Sequence, residues 1–92
     1  MIVRILGEGQ YRLDEAAFAA VDPIDDRVQA AAEAGDADGF AAALVELVDA
    51  IIATGEKLPD DELEPSDAIV PGHGTSLDDA RELLGSEGLI PN

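Results

Sequence analysis

His73 is the only histidine in the 92-residue chain and sits in the turn-like triplet Gly72-His73-Gly74. Imidazole suits acid–base work near neutral pH and metal binding. A zinc site draws on several histidines or cysteines, and this chain has no cysteine at all, so His73 reads as a solvated turn residue and no metal ligand is assigned. A hydrolase centred on His73 would require specific metal uptake. The acidic run Asp60-Asp61-Glu62-Leu63-Glu64 lacks the alternating ligand ladder and closing glutamate of a calcium loop, so it reads as a solvated face. Gly7-Glu8-Gly9 resembles a phosphate cradle only in its glycines. Neither a helix start nor a third glycine follows, which leaves a turn. Without cysteine there is neither disulfide nor thiolate catalysis. No catalytic, cofactor-binding or metal residue is assigned, and an enzyme is not expected.

What remains is charge. The chain carries 21 acids against 5 lysines and arginines, a formal net charge of -16, which argues against nucleic-acid backbone and anionic lipid as direct ligands. Two of the five basic residues, Arg4 and Arg12, lie in residues 1 to 13, the one segment that is not net acidic. They have two readings: they pair with the chain's own surplus carboxylates, or they form a docking patch for an acidic partner surface. Adaptation to high salt would produce the same overall bias, so charge alone does not establish binding.

The elements that hold these residues can be read from periodicity. Ile2 to Leu6 and Gln10 to Leu13 flank the glycines as a β-hairpin. A loop of residues 7 to 9 sets 6 opposite 10, 5 opposite 11, 4 opposite 12 and 3 opposite 13. Val3, Ile5, Tyr11 and Leu13 then share one apolar face, with Arg4 and Arg12 opposed on the other. Lone hairpins are marginal, so helices must cover that face.

Asp14 caps a first helix over about 14–34, with an apolar stripe Phe18, Val21, Ile24, Val28, Ala31 and Ala32. Pro23 interrupts it, giving one kinked helix or two nearly coaxial pieces. Asp36 caps a second helix over 37–54, whose stripe Phe40, Leu44, Leu47, Val48, Ile51 and Ile52 supplies most of the core. Gly55 suits a left-handed C-terminal position, and the short link at Gly35 implies an antiparallel helical hairpin. The acid- and proline-rich stretch 56–67 reads as a surface connection pinned by Leu58 and Leu63. Ala68-Ile69-Val70 has the composition of a third short strand. Thr75 or Ser76 then caps a helix over 76–84 carrying Leu77, Ala80, Leu83 and Leu84, with Ser76 and Asp79 as a capping box. Gly85 closes it, and the apolar tail 86–91 is expected to return to the body. The fold class is α+β, as one domain across 1–92. A chain of this size has a modest core, disfavouring deep catalytic clefts. No apolar run approaches the length of a membrane span, so the expected location is cytoplasmic.

Three blocks in order, Ile2-Val-Arg-Ile-Leu-Gly-Glu-Gly-Gln-Tyr-Arg-Leu13, Leu58-Pro-Asp-Asp-Glu-Leu-Glu-Pro-Ser-Asp67 and Leu83-Leu-Gly-Ser-Glu-Gly-Leu-Ile-Pro91, resemble the PspA-associated PspAA family. The resemblance covers essentially the whole chain. It implies a small trihelical domain linked to PspA, the phage-shock protein of the ESCRT-like membrane-remodelling superfamily. On that basis the expected function is a non-enzymatic accessory or adaptor of the envelope stress response that binds or modulates PspA. It would then reach the inner membrane face only through PspA, with no cofactor. The resemblance assigns no catalytic residue. The competing expectation is an acidic inhibitor or nucleic-acid mimic, with carboxylates arrayed regularly on one face to meet a basic partner.

Overall fold

Two aspartates start the long helices by satisfying backbone N–H groups that have no partner within the helix. Asp14 accepts from Ala17 at 2.8 Å and Asp36 from Gly39 at 3.0 Å. In the computed structural model, which describes residues 1–59 and 64–84, the elements in order are β1 (Ile2–Ile5), β2 (Gly9–Arg12), α1 (Glu15–Ala34), α2 (Ala37–Thr54), β3 (Glu56–Lys57), β4 (Ala68–Val70) and α3 (Leu77–Leu84). Gly35 takes the left-handed conformation, φ 72°, that turns the chain between α1 and α2. Asp36 N–H returns to the Ala31 carbonyl at 2.9 Å. Ser76 accepts from Asp79 N–H at 3.1 Å and so caps α3.

The strands form one mixed sheet in the order β3-β2-β1-β4. β1 pairs antiparallel with β2 and parallel with β4, while β2 pairs antiparallel with β3. This is an α+β architecture, as expected. One sheet face carries Val3, Ile5, Tyr11, Leu13, Ala68 and Val70, all buried, and joins Val21, Val28, Phe40, Leu44, Leu47, Val48 and Ile51 from the helical hairpin in one core cluster. Strands of two to four residues gain their stability from this shared burial, which neither layer has alone.

The hairpin register differs from the expected one by two residues. Val3 opposes Tyr11, Arg4 opposes Gln10 and Ile5 opposes Gly9, because the loop is Leu6-Gly7-Glu8, closed by Glu8 N–H on the Ile5 carbonyl at 3.0 Å. Gly7 and Gly9 both have positive φ, at 86° and 116°. The Leu6 amide turns instead to the Val70 carbonyl of β4 at 3.0 Å. An even shift keeps every side chain on its face, so the apolar face survives the error while the opposition of Arg4 to Arg12 does not.

Four further expectations need correction. Phe18 is 38% exposed and Ala17 takes the inward position. The inward stripe of α1 then runs Ala17, Val21, Asp25, Val28, and Pro23 lies within a single helix. Ile52 is 38% exposed, while Ala43 joins the inward stripe of α2. Gly55 has φ -85° rather than a left-handed value. It is there for space: a Cβ would lie 2.7 Å from the Ile51 carbonyl oxygen and 2.9 Å from Leu13. Within the stretch read as a surface connection, Glu56–Lys57 pairs with β2 as a strand. The anchoring of Leu63, the closing role of Gly85 and the tail 86–91 lie outside the described residues.

Gly72 is held just as tightly against the hairpin. A Cβ there would come within 2.5 Å of the Leu6 carbonyl oxygen, a backbone atom that cannot swing aside. Gly72→Ala is therefore expected to destabilise the fold by roughly 1–3 kcal/mol, read as a lower urea midpoint at unchanged m-value. An unaltered midpoint would mean that the β4–α3 link adjusts freely.

Candidate functional site

The outer sheet face, turned away from the helices, is organised by Gln10. Its side chain is 6% exposed, and a primary amide so buried must find partners for two donors and an oxygen. Gln10 Nε2 donates to the Glu64 carbonyl at 2.5 Å and to Ser66 Oγ at 2.8 Å, and its Oε1 accepts from Glu64 N–H at 3.4 Å. Beyond it, Asp67 grips β1 twice. Its N–H donates to the Ile2 carbonyl at 2.8 Å, and its Oδ2 accepts from Ile2 N–H at 2.7 Å. Residues 64–67 thus lie as a strap across the hairpin and deliver the chain to β4 on the far side of β1.

This route gives the two candidate arginines different fates. Arg12 meets Glu64 at 3.3 Å, an ion pair open to solvent on both sides and so worth only about 0.2–1 kcal/mol. The own-carboxylate reading describes Arg12. Arg4 is exposed, and among the described residues its side chain has no hydrogen bond or ion pair. Its neighbour across β4 is Ile69, which is 41% exposed. A free guanidinium beside an open branched aliphatic group is an amphipathic patch that can meet a carboxylate and an apolar side chain together. Ile69 escaped the sequence reading. Once β4 is placed beside β1, alternation shows it: Ala68 and Val70 point inward, so Ile69 must point out.

His73 is exposed, as expected, and also lies between two carboxylates. Its Nε2 is 2.8 Å from Asp49 of α2 and its Nδ1 4.0 Å from Glu8 of the hairpin loop. The two acids approach opposite ring nitrogens, so the three side chains do not converge on one ion. They link three separate segments at the surface.

The least expected residue is Asp25, 2% exposed on the inward stripe of α1. Gln29 Nε2 donates to its Oδ2 at 2.5 Å. Its Oδ1 is buried with no hydrogen-bond partner among the described residues. Burial pushes the carboxyl up to about 6 from an ordinary 3.8, the Gln29 bond works against that shift, and the neighbouring Asp26 and Asp22 add repulsion. The signal was present in the sequence: a position four residues after Val21 and three before Val28 belongs to the buried stripe.

The sequence model of the family described as PspAA, PspA-Associated protein, matches residues 1–92. No curated protein and no solved structure matches the chain.

Asp25 makes stability depend on pH in a definite direction. The folded state keeps a proton that the unfolded chain has already released, so stability falls as pH climbs from about 4 to about 6 and stays low above. Asp25→Asn removes that penalty. It should be more stable than the wild type by roughly 1–3 kcal/mol at pH 8, with the two converging near pH 4. Urea midpoints at both pH values check this, and a gap of equal size at both would refute it.

Proposed function

Because the chain belongs to the PspA-associated protein family over all of its 92 residues, we propose that it is a non-enzymatic adaptor that docks on PspA and modulates its assembly. The observation that carries this reading, beside the family itself, is the pairing of Arg4, which has no side-chain partner among the described residues, with exposed Ile69 on the outer sheet face. Arg4 offers long-range attraction and a bidentate donor to a carboxylate of the partner, and Ile69 offers apolar area to bury at the same contact. Arg12, already matched by Glu64, flanks the contact.

Among the described residues no helix is long and apolar enough to cross a membrane, and a chain of net charge -16 is repelled by anionic headgroups. In this reading the protein works from the cytoplasm and reaches the inner membrane face through PspA. The distribution of acids speaks against an acidic inhibitor or nucleic-acid mimic. Glu8 of the hairpin loop, Glu15 and Asp26 of α1, Glu46 and Asp49 of α2, Glu56 of β3, Asp67 of the strap and Asp78 of α3 are all exposed. They spread the charge over both layers instead of gathering it on one face.

Titration with the cognate PspA tests the reading. Arg4→Glu and Ile69→Asp should each weaken binding at least about tenfold, Arg12→Glu less than about threefold, and added salt should weaken the wild-type complex. Absence of wild-type binding up to about 50 μM, a Kd range that corresponds to roughly 6 kcal/mol, would reject the partnership. Binding untouched by the Arg4 and Ile69 changes would reject the docking face.

A further inference from the structure

α1 carries three carboxylates on one side of a single turn: Asp22, Asp25 and Asp26, at spacings of three and four residues. One oxygen from each lies within 4.8 Å of the others. That span is about two calcium–oxygen bonds of 2.3–2.6 Å, so one ion can touch all three. Three acids on a surface are not a site in themselves. The second observation is that one of the three carboxylates is buried. Asp25 is 2% exposed, Gln29 occupies only its Oδ2, and Oδ1 is left buried with no partner among the described residues.

Among the described residues no basic side chain meets the trio. Arg27 is the one basic residue of α1, and it is turned away to Glu46 of α2 at 2.8 Å. A buried acceptor with no donor among the described residues, next to two further carboxylates, calls for a positive ligand. The turn is also where α1 is weakest: Pro23, between Asp22 and Asp25, removes one helical hydrogen bond.

We propose that Asp22, Asp25 and Asp26 form a site for one hard divalent cation of the magnesium, calcium and manganese class, with water completing its coordination. All donors are carboxylate oxygens, which suits these ions over softer metals. Asp25 supplies the inner ligand, Asp22 and Asp26 close over the ion from the surface, and the bound ion braces the helix across Pro23.

Manganese, followed by electron paramagnetic resonance of the free ion, is the probe. The full chain at pH 7.5 and fixed potassium chloride should take up one Mn²⁺ per molecule in a saturable phase. Asp22→Asn with Asp26→Asn, both at the surface, should shift that phase to at least tenfold higher concentration while circular dichroism stays native. Asp25→Asn should abolish it. At about ten times the half-saturating concentration the wild-type Tm should rise by roughly 5 °C, and the double variant should not respond. Equal uptake by wild type and double variant would show diffuse attraction to a strongly negative surface and overturn the proposal. So would an absence of saturable uptake, or a Tm rise shared by both proteins.

Discussion

The outer face of this small sheet depends on a buried amide finding its partners. Gln10 cannot leave its donors and oxygen unsatisfied where water does not reach, and the strap 64–67 meets that demand through the backbone and side chain of Glu64 and Ser66. Everything on that face follows from the strap's path. Asp67 is brought onto Ile2, β4 is laid parallel to β1, and Ile69 comes to rest beside Arg4. The same crossing leaves Glu64 over Arg12. One uncharged hydrogen-bond group therefore decides that Arg12 is matched within the chain while Arg4 has no partner among the described residues.

The inner face obeys a different rule. It is held by apolar burial alone, with the helical hairpin supplying Phe40, Leu44, Leu47, Val48 and Ile51 against Val3, Ile5 and Leu13. The chain has two phenylalanines and no tryptophan, so close approach at small residues matters: Ala17 and Ala43 face inward, and Gly55 and Gly72 sit where a methyl group would not fit. Within this economical core, Asp25 is the exception. A carboxyl in such a place works against stability unless a proton or a cation neutralises it, and natural chains tolerate such tension chiefly where it serves binding or switching.

Much of this was legible in the residues. Asp14 and Asp36 announced both long helices, Gly35 announced the turn between them, and two-residue alternation placed the hairpin's apolar face correctly despite the wrong register. The register itself was not legible, because Leu6 is drawn into the loop by a bond to β4, a partner about 65 residues away in sequence. The same distance hid the strap, since nothing local says that an acid-rich connection will lie across Gln10. On α1 the difference is local: Ala17, not Phe18, shares the phase of Val21 and Val28, and Asp25 lies on that same stripe. For the candidate site, Arg4 and Arg12 were visible as the basic residues of the least acidic segment. Their different standing, and the exposure of Ile69 beside Arg4, required the sheet order.

The docking surface proposed for PspA is the area around Arg4 and Ile69. Backbone amide shifts of the isotopically labelled chain, recorded as unlabelled PspA is added, test it most directly. The largest changes are expected on β1, β4 and the strap, with the turn between α1 and α2 unmoved. Changes concentrated on the helical hairpin, with β1 and β4 silent, would contradict it.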